Sequence, residues 1–188
     1  MTKTAKKIII ELAVLLAVVL TDLATKYLVF YLFEEGGATV IDGVFSIQCA
    51  QNYGASFGIF SGNKTLLIAL TFVECAIFAF VLLFRPNTPH IFRFSLLLIL
   101  GGAIGNLFDR LAFGYVRDFI SYDFLYSMFK IDFAIGNVAD IYLVLGVFVL
   151  IIYIFFGYRE GDFSKSRGTL LRRGTTVSYT HLTLPTIA

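Results

Sequence analysis

The sequence predicts an all-α membrane protein, four transmembrane helices with a small outward-facing β or interfacial subdomain, and three observations predict it. Apolar residues make up 58% of the 188 and charged residues only 15%, with a mean hydropathy of +0.83. Soluble domains carry ~25% charged residues. The apolar residues gather into stretches of ~20, the length that crosses a bilayer as a helix. Lysine and arginine concentrate in alternate connections, the asymmetry that orients membrane helices. The same composition excludes a disordered chain. With a net charge of only +2, attraction to a polyanion is not the theme and no nucleic-acid partner is expected.

The first span, Ile8 to Phe33, is long enough to cross with tilt or to project beyond the bilayer. A cleavable signal peptide does not fit it. Its apolar run is too long, and Asp22, Lys26 and bulky aromatics stand where a small-residue cleavage site would be. Thr65 to Phe84 is the second span and carries one charge, Glu74. Ile91 to Leu111 is the third, with Arg93 at one end and Asp109 and Arg110 at the other. Val138 to Phe156 is the fourth, with Asp140 near its start. Pro86 and Pro89 mark a tight turn between spans two and three. The stretches Thr39 to Cys49 and Tyr115 to Phe133 are alternating and aromatic, and Gly43 and Gly54 punctuate the first connection. That texture predicts short strands or an interfacial segment.

Lys3, Lys6 and Lys7 precede span one, Arg85 and Arg93 bracket the turn after span two, and Arg159, Lys165, Arg167, Arg172 and Arg173 follow span four. The two longer connections hold only Lys64, Arg117 and Lys130. The positive-inside rule then puts both termini and the Arg85 turn in the cytoplasm and the longer connections outside. Residues 1–176 are expected to form a single integral-membrane domain. Residues 177–188 are set apart, because VSYTHLTLPT has no apolar period and resembles the translation of a sequencing adapter; they read as a non-native scar. Without His181, His90 is the only histidine. Cys49 and Cys75 fall at different depths and are expected to be free thiols.

Ionisable groups at membrane depth are costly and call for an explanation. Asp22 and Lys26 lie four apart on one helical face, where opposite charges neutralise each other and orient the span. Glu11, near the inner interface, is given no function, and Glu74, near the middle of span two, is expected to be protonated or hydrogen-bonded. Around the outward end of span three, GGAIGNLFDRLAFGYVRDFI (Gly101 to Ile120) gathers Asn106, Asp109, Arg110 and Asp118. Its small residues, Gly101, Gly102, Ala103 and Gly105, allow another helix to approach closely. GNVAD (Gly136 to Asp140) opens span four at the same outer level. Two converging carboxylates cannot both ionise, so one keeps a proton while the other acts as a base, the arrangement of aspartic proteases. Spacing alone leaves open that Asp118 is a solvated loop acid and Asp140 a helix N-terminal acid favoured by the dipole. His90 falls on the inner turn, so no Ser-His or Cys-His pair forms outside. Neither a histidine cluster nor paired cysteines suggest a metal.

At these residues the chain resembles the lipoprotein signal peptidases, signal peptidase II, the bacterial integral-membrane aspartic proteases. The resemblance spans Lys7 to Phe156 in four ordered blocks: DLATK (Asp22 to Lys26), NYGASF (Asn52 to Phe57), Gly101 to Ile120, and NVAD (Asn137 to Asp140). It implies that Asp118 and Asp140 are the catalytic dyad. It also implies that Asn52, Gly54, Asn106, Arg110 and Asn137 line the substrate site, that Asp109 helps position Arg110, and that Asp22 and Lys26 are architectural. Five positions depart from the family pattern. Gly136 stands in place of a usual Phe, Arg117 in place of an apolar residue, Leu23 in place of a common Gln, and Ile141-Tyr142 in place of a smaller, more polar pair. Gly136 bears on how Asp140 packs.

The implied substrate is a prolipoprotein whose cysteine already carries diacylglycerol, cut just before that cysteine at the outer face of the bacterial inner membrane. Membrane lipids are the other expected partners. The enzyme is expected to be monomeric and to need no metal or organic cofactor. Two other readings compete: a small ion-coupled transporter or transport accessory subunit, motivated by Glu74, Asp22 and Lys26, and a structural subunit packing through its glycine-rich helix. Acids at one outer level, rather than at the midplane, favour the peptidase.

Overall fold

The computed structural model describes residues 2–33, 36–54, 63–85, 87–131, 133–159 and 162–163. The tail at 177–188 lies outside the described residues. Four helices are long and apolar enough to cross a membrane. Helix α1 (Lys3–Phe33) starts five residues before the predicted span, because lysine is a good helix former and no Gly or Pro interrupts the run. Helix α2 (Lys64–Phe84) is capped by the Asn63 side chain, which accepts from the Leu66 N–H at 3.2 Å. Helix α3 (His90–Ala112) starts after Pro89, and α5 (Val138–Ile152) continues as a π-helical turn, Tyr153–Gly157. The predicted spans agree with these helices to within a few residues at each end.

Helix α3 is the centre of the bundle: 67% of its most apolar window is buried, against 17% or less in the other three. Leu96, Leu97 and Leu100 of α3 form its apolar core with Leu82 of α2. Outward-facing residues such as Leu83, Val144 and Phe156 are exposed; in a bilayer, hydrocarbon covers them while the backbone polar groups stay paired within each helix. The glycines of α3 serve close approach, as their spacing suggested. A Cβ on Gly102 would lie 2.6 Å from the Ala139 carbonyl oxygen of α5, and one on Gly101 or Gly105 would run into Val18 or Asp22 of α1.

One end of the bundle carries a three-stranded antiparallel sheet in the order β1 (Gly37–Ile41), β2 (Phe45–Asn52), β3 (Val116–Ser121). Gly43, at φ 68°, turns the β1–β2 hairpin, and Gly114, at φ 89°, turns α3 into β3; both are conformations that glycine adopts without cost. The short helix α4 (Asp123–Phe129) lies against the hairpin. There the Phe124 N–H donates to the Val44 carbonyl and Ser127 Oγ to the Gly43 carbonyl, each at 3.1 Å. The alternating stretches thus yield strands and a short helix. An isolated antiparallel bridge between Ile120 and Gly136 brings the start of α5 beside β3.

The opposite end is the basic one. Arg93 of α3 donates to both carboxylate oxygens of Glu11 at 2.6 and 2.7 Å, and to the Leu82 and Arg85 carbonyls. Glu11 therefore has a structural partner that the sequence did not suggest. Beyond α5, the buried Tyr153 hydroxyl donates to Asp162 at 2.8 Å. Cys49 in β2 and Cys75 in α2 are free thiols.

Candidate active site

The sheet end of the bundle brings Asp118 and Asp140 into one hydrogen-bonded network. Asp118 comes from β3, where it pairs in register with Ala50, and its side chain is diagonal to Asn52 on the same sheet face. Asn52 Nδ2 donates to Asp118 Oδ2 at 2.9 Å, and Asn137 Nδ2 donates to Asp118 Oδ1 at 2.6 Å. Asp140 is the third residue of α5 and forms a capping box with Asn137. Asn137 Oδ1 accepts from the Asp140 N–H at 3.1 Å, and Asp140 Oδ2 accepts from the Asn137 N–H at 3.0 Å. This reciprocal arrangement satisfies two donors at the helix start and fixes the Asp140 rotamer. The other Asp140 oxygen accepts from Asn106 Nδ2 at 2.9 Å.

Two asparagines, Asn137 and Asn106, bridge the two acids, while Asn52 holds Asp118 alone. Asn137 spends one amide hydrogen on Asp118 and the other on Asn106 Oδ1, 3.1 Å away. Asn52 Oδ1 accepts from the Gly54 N–H at 2.9 Å, and Arg110 Nη2 donates to the Gly54 carbonyl at 3.1 Å. Arg110 and Gly54 thus form one edge of the site. The remainder of NYGASF, 55–57, lies outside the described residues.

Asp22, Lys26 and Asp109, all fully buried, support this layer. Asp22 Oδ1 accepts from the Ala139 N–H at 2.8 Å, so α1 caps the first turn of α5. Lys26 pairs with Asp22 at 2.8 Å and with Asp109 at 3.5 Å. The resemblance implied that Asp109 helps position Arg110, but the direct contacts of Asp109 are with Lys26 and Arg117. It receives Arg117, with Nη2 at 2.8 Å and the Arg117 backbone N–H at 3.0 Å. Consecutive helical residues point about 100° apart, so Asp109 and Arg110 face different neighbours. The unusual Arg117 is thereby explained: it balances a buried acid and stacks on the Phe113 ring at 4.5 Å.

Burial, then the neighbouring Asp140 charge, push the Asp118 carboxyl up to about 6, against the pull of the Asn52 and Asn137 donors. Asp118 is 2% exposed, whereas Asp140 is half-buried and lines an apolar cavity of about 420 Å³ with Tyr122, Leu125, Phe133, Ile141 and Val144. Tyr122, which sequence reasoning did not single out, forms part of that wall; burial and then Asp140 push its hydroxyl up. Gly136 lies beside Asp140, and a Cβ there would stand 3.1 Å from Asp140 Oδ2. Its N–H and carbonyl bond to β3 at Phe119 and Ile120, so the backbone holds Asp140 in place without an aromatic side chain. Among the described residues, no three His, Cys, Asp or Glu side chains are grouped to hold a metal ion.

A family model described as signal peptidase (SPase) II matches residues 14–156. The chain belongs to the signal peptidase II family. The lipoprotein signal peptidase of Clostridium tetani (strain Massachusetts / E88) is 37% identical over 145 residues, 77% of this chain and 91% of that protein. That of Streptococcus pyogenes serotype M6 is 34% identical over 158 residues, 84% of this chain and 98% of its own length. Among solved structures, a bacterial membrane enzyme determined by the in meso method at 2.3 Å is 28% identical, with a TM-score of 0.70 over 80% of this chain and 92% of that one. This signal peptidase II family member is therefore a membrane peptidase of four membrane-capable helices with a small antiparallel sheet. The transporter reading falls with that membership. Asp22 and Lys26, which motivated it, are enclosed in an ion-paired cluster.

Proposed function

We propose that this peptidase removes the signal peptide from diacylglyceryl-modified prolipoproteins, cutting just before the lipidated cysteine, with Asp118 and Asp140 as the acid and base. The observation that carries the reading is the bridged pair itself: two carboxylates on separate elements, joined through Asn137 and Asn106, beside an apolar cavity at the sheet end. The lysine and arginine distribution puts that end at the outer face of the bacterial inner membrane, with both termini in the cytoplasm.

The different environments of the two acids support these roles. Asp118, the more buried acid, keeps the proton, and the more open Asp140 is the ionised base next to water. Asp140 takes a proton from water as its oxygen attacks the scissile carbonyl, while Asp118 gives its proton to the carbonyl oxygen, forming a gem-diol. The C–N bond then breaks, with one hydroxyl proton returning to Asp118 and the proton on Asp140 passing to the leaving amine. Asn52 and Asn137 hold Asp118, and Arg110, through Gly54, shapes the edge against which the peptide lies. The substrate's acyl chains remain in hydrocarbon, each buried methylene contributing ~0.8 kcal/mol to anchoring. Part of that energy offsets the cost of fixing the scissile bond at the dyad.

The test is cleavage of a lipidated prolipoprotein and its unlipidated twin by purified protein in the same detergent. D118N and D140N should each lower turnover by ~10²–10⁴-fold while inserting normally, and the unlipidated precursor should be cut far more slowly. Near wild-type turnover by either variant rejects the dyad; equal rates on the two precursors reject lipid-directed specificity.

A further inference from the structure

Lys26 is as deeply enclosed as any of the described residues, yet its contacts go beyond charge balance. Its ammonium has three N–H donors and three acceptors: Asp22 Oδ2 at 2.8 Å, Asp109 Oδ2 at 3.5 Å, and Asn106 Oδ1 at 2.9 Å. Asp22, Lys26, Asp109 and Arg117 together sum to zero charge, so the group needs no additional acceptor for neutrality. The third contact addresses a neutral amide instead. That amide lies between the ion cluster and the dyad.

A carboxamide has one acceptor oxygen and one donor nitrogen, and whichever faces a neighbour fixes what the other end presents. Asn106 Oδ1 faces two donors, Lys26 Nζ and Asn137 Nδ2, which leaves Nδ2 to face Asp140. Were the amide reversed, its NH₂ would oppose an ammonium and a second NH₂, and its oxygen would oppose a carboxylate. An amide buried between an ammonium and a carboxylate therefore has a single satisfied orientation. Asn137 supplies one of those two donors, with the amide hydrogen not spent on Asp118, and Lys26 supplies the other, shorter and charged one.

We infer that Lys26 is a positioning residue for catalysis: its ammonium orients the Asn106 carboxamide, which in turn fixes the base Asp140 relative to Asp118. The inference rests on the dyad reading above. It assigns to Lys26 a function besides the architectural one, exerted across 80 positions of sequence to Asn106 and then 34 more to Asp140. Lys26 itself touches no reacting atom.

The test is a double-mutant cycle on turnover of the lipidated precursor, using K26M, N106A and K26M/N106A. K26M should lower kcat by about 30-fold or more with KM within about twofold. In the N106A background the same substitution should cost less than about threefold, because the amide through which Lys26 acts is already gone. A structural role for Lys26 would instead give losses that multiply, and that result overturns the inference. So does a K26M effect confined to KM. Where K26M fails to fold with Asp22 unpaired, D22N/K26M keeps the cluster neutral, and the cycle is run from D22N as its parent. If D118N or D140N retains turnover, the dyad reading fails first; if both are dead and the cycle is additive, only the role of Lys26 fails.

Discussion

The central helix α3 carries a buried polar cluster toward each end, and the two are built on different rules. At the basic end Arg93 meets Glu11 through two charge-assisted bonds, and two backbone carbonyls take further guanidinium hydrogens. Lys7 adds a longer ion pair to the same carboxylate at 3.9 Å, so cations meet the acid directly. At the sheet end Lys26 and Arg117 are matched by Asp22 and Asp109, but Asp118 and Asp140 are held by amides and a backbone N–H. Among the described residues, neither of these two acids forms an ion pair. A buried ion pair fixes helices, whereas a carboxylate pair denied a contacting cation retains a proton to exchange.

Breaking the bridge at the sheet end should have the largest effect. N137A removes the donor to Asp118, the link to Asn106 and the cap on α5 at once, so turnover of the lipidated precursor should fall by about 100-fold or more. Loss of the cap should cost about 1 kcal/mol of stability in addition. Turnover within about threefold of wild type would mean that the acids hold their geometry without the amides.

The opposite cluster supplies the contrast. R93M leaves Glu11 without its guanidinium and should lower stability by about 3 kcal/mol, seen as an earlier melting transition in detergent. Turnover per folded molecule should stay within about twofold. A large loss of turnover at full stability would show that the two clusters are not functionally separate.

The pH dependence sharpens the difference further. Asp118 is pushed up to about 6 in the folded protein, above its ordinary value near 4. Its contribution to stability is therefore fully present below about pH 4 and is lost as pH rises through about 6. D118N, which mimics the protonated acid, should gain in Tm relative to wild type across that window. In wild type kcat/KM should fall about tenfold per pH unit above about 6, as the proton needed by the carbonyl is lost. A profile flat through that range would reject Asp118 as the acid.

The smallest effect is expected at Gly136. A methyl group there meets Asp140 Oδ2 at 3.1 Å, a contact that a few tenths of an ångström relieve. G136A should change turnover by less than about threefold and leave the Tm nearly unmoved. A collapse of activity would show that the space beside Asp140 is itself required.

Hydropathy alone located the four membrane-capable helices, since twenty apolar residues in a row have few other uses. The sheet was visible as alternation between Thr39 and Cys49 and beyond Tyr115, though not its strand order. Span topology put Asp118 and Asp140 at one level, but resemblance was needed to choose a dyad over two separate acids, because 22 residues of chain separate them and no local pattern reports the Ile120–Gly136 bridge that brings them together. The partners of Asp109 and Glu11 were missed for a related reason. Periodicity tells which face of a helix a side chain occupies, but neither the neighbour that meets it there nor the turn geometry that returns Arg117 to Asp109.

The capping box at the start of α5 ties two demands to one set of atoms. Asp140 Oδ2 closes the helix through the Asn137 N–H, while its other oxygen belongs to the reactive network. Selection for a correctly assembled protein and selection for a working one therefore fall on the same carboxylate. Random substitutions at 137 and 140 should register in a genetic screen as both misassembly and inactivity, blurring the two phenotypes. Only the carboxamide replacement of Asp140, which keeps an oxygen for the cap, can separate them, and a lineage losing the chemistry would still have reason to keep the residue.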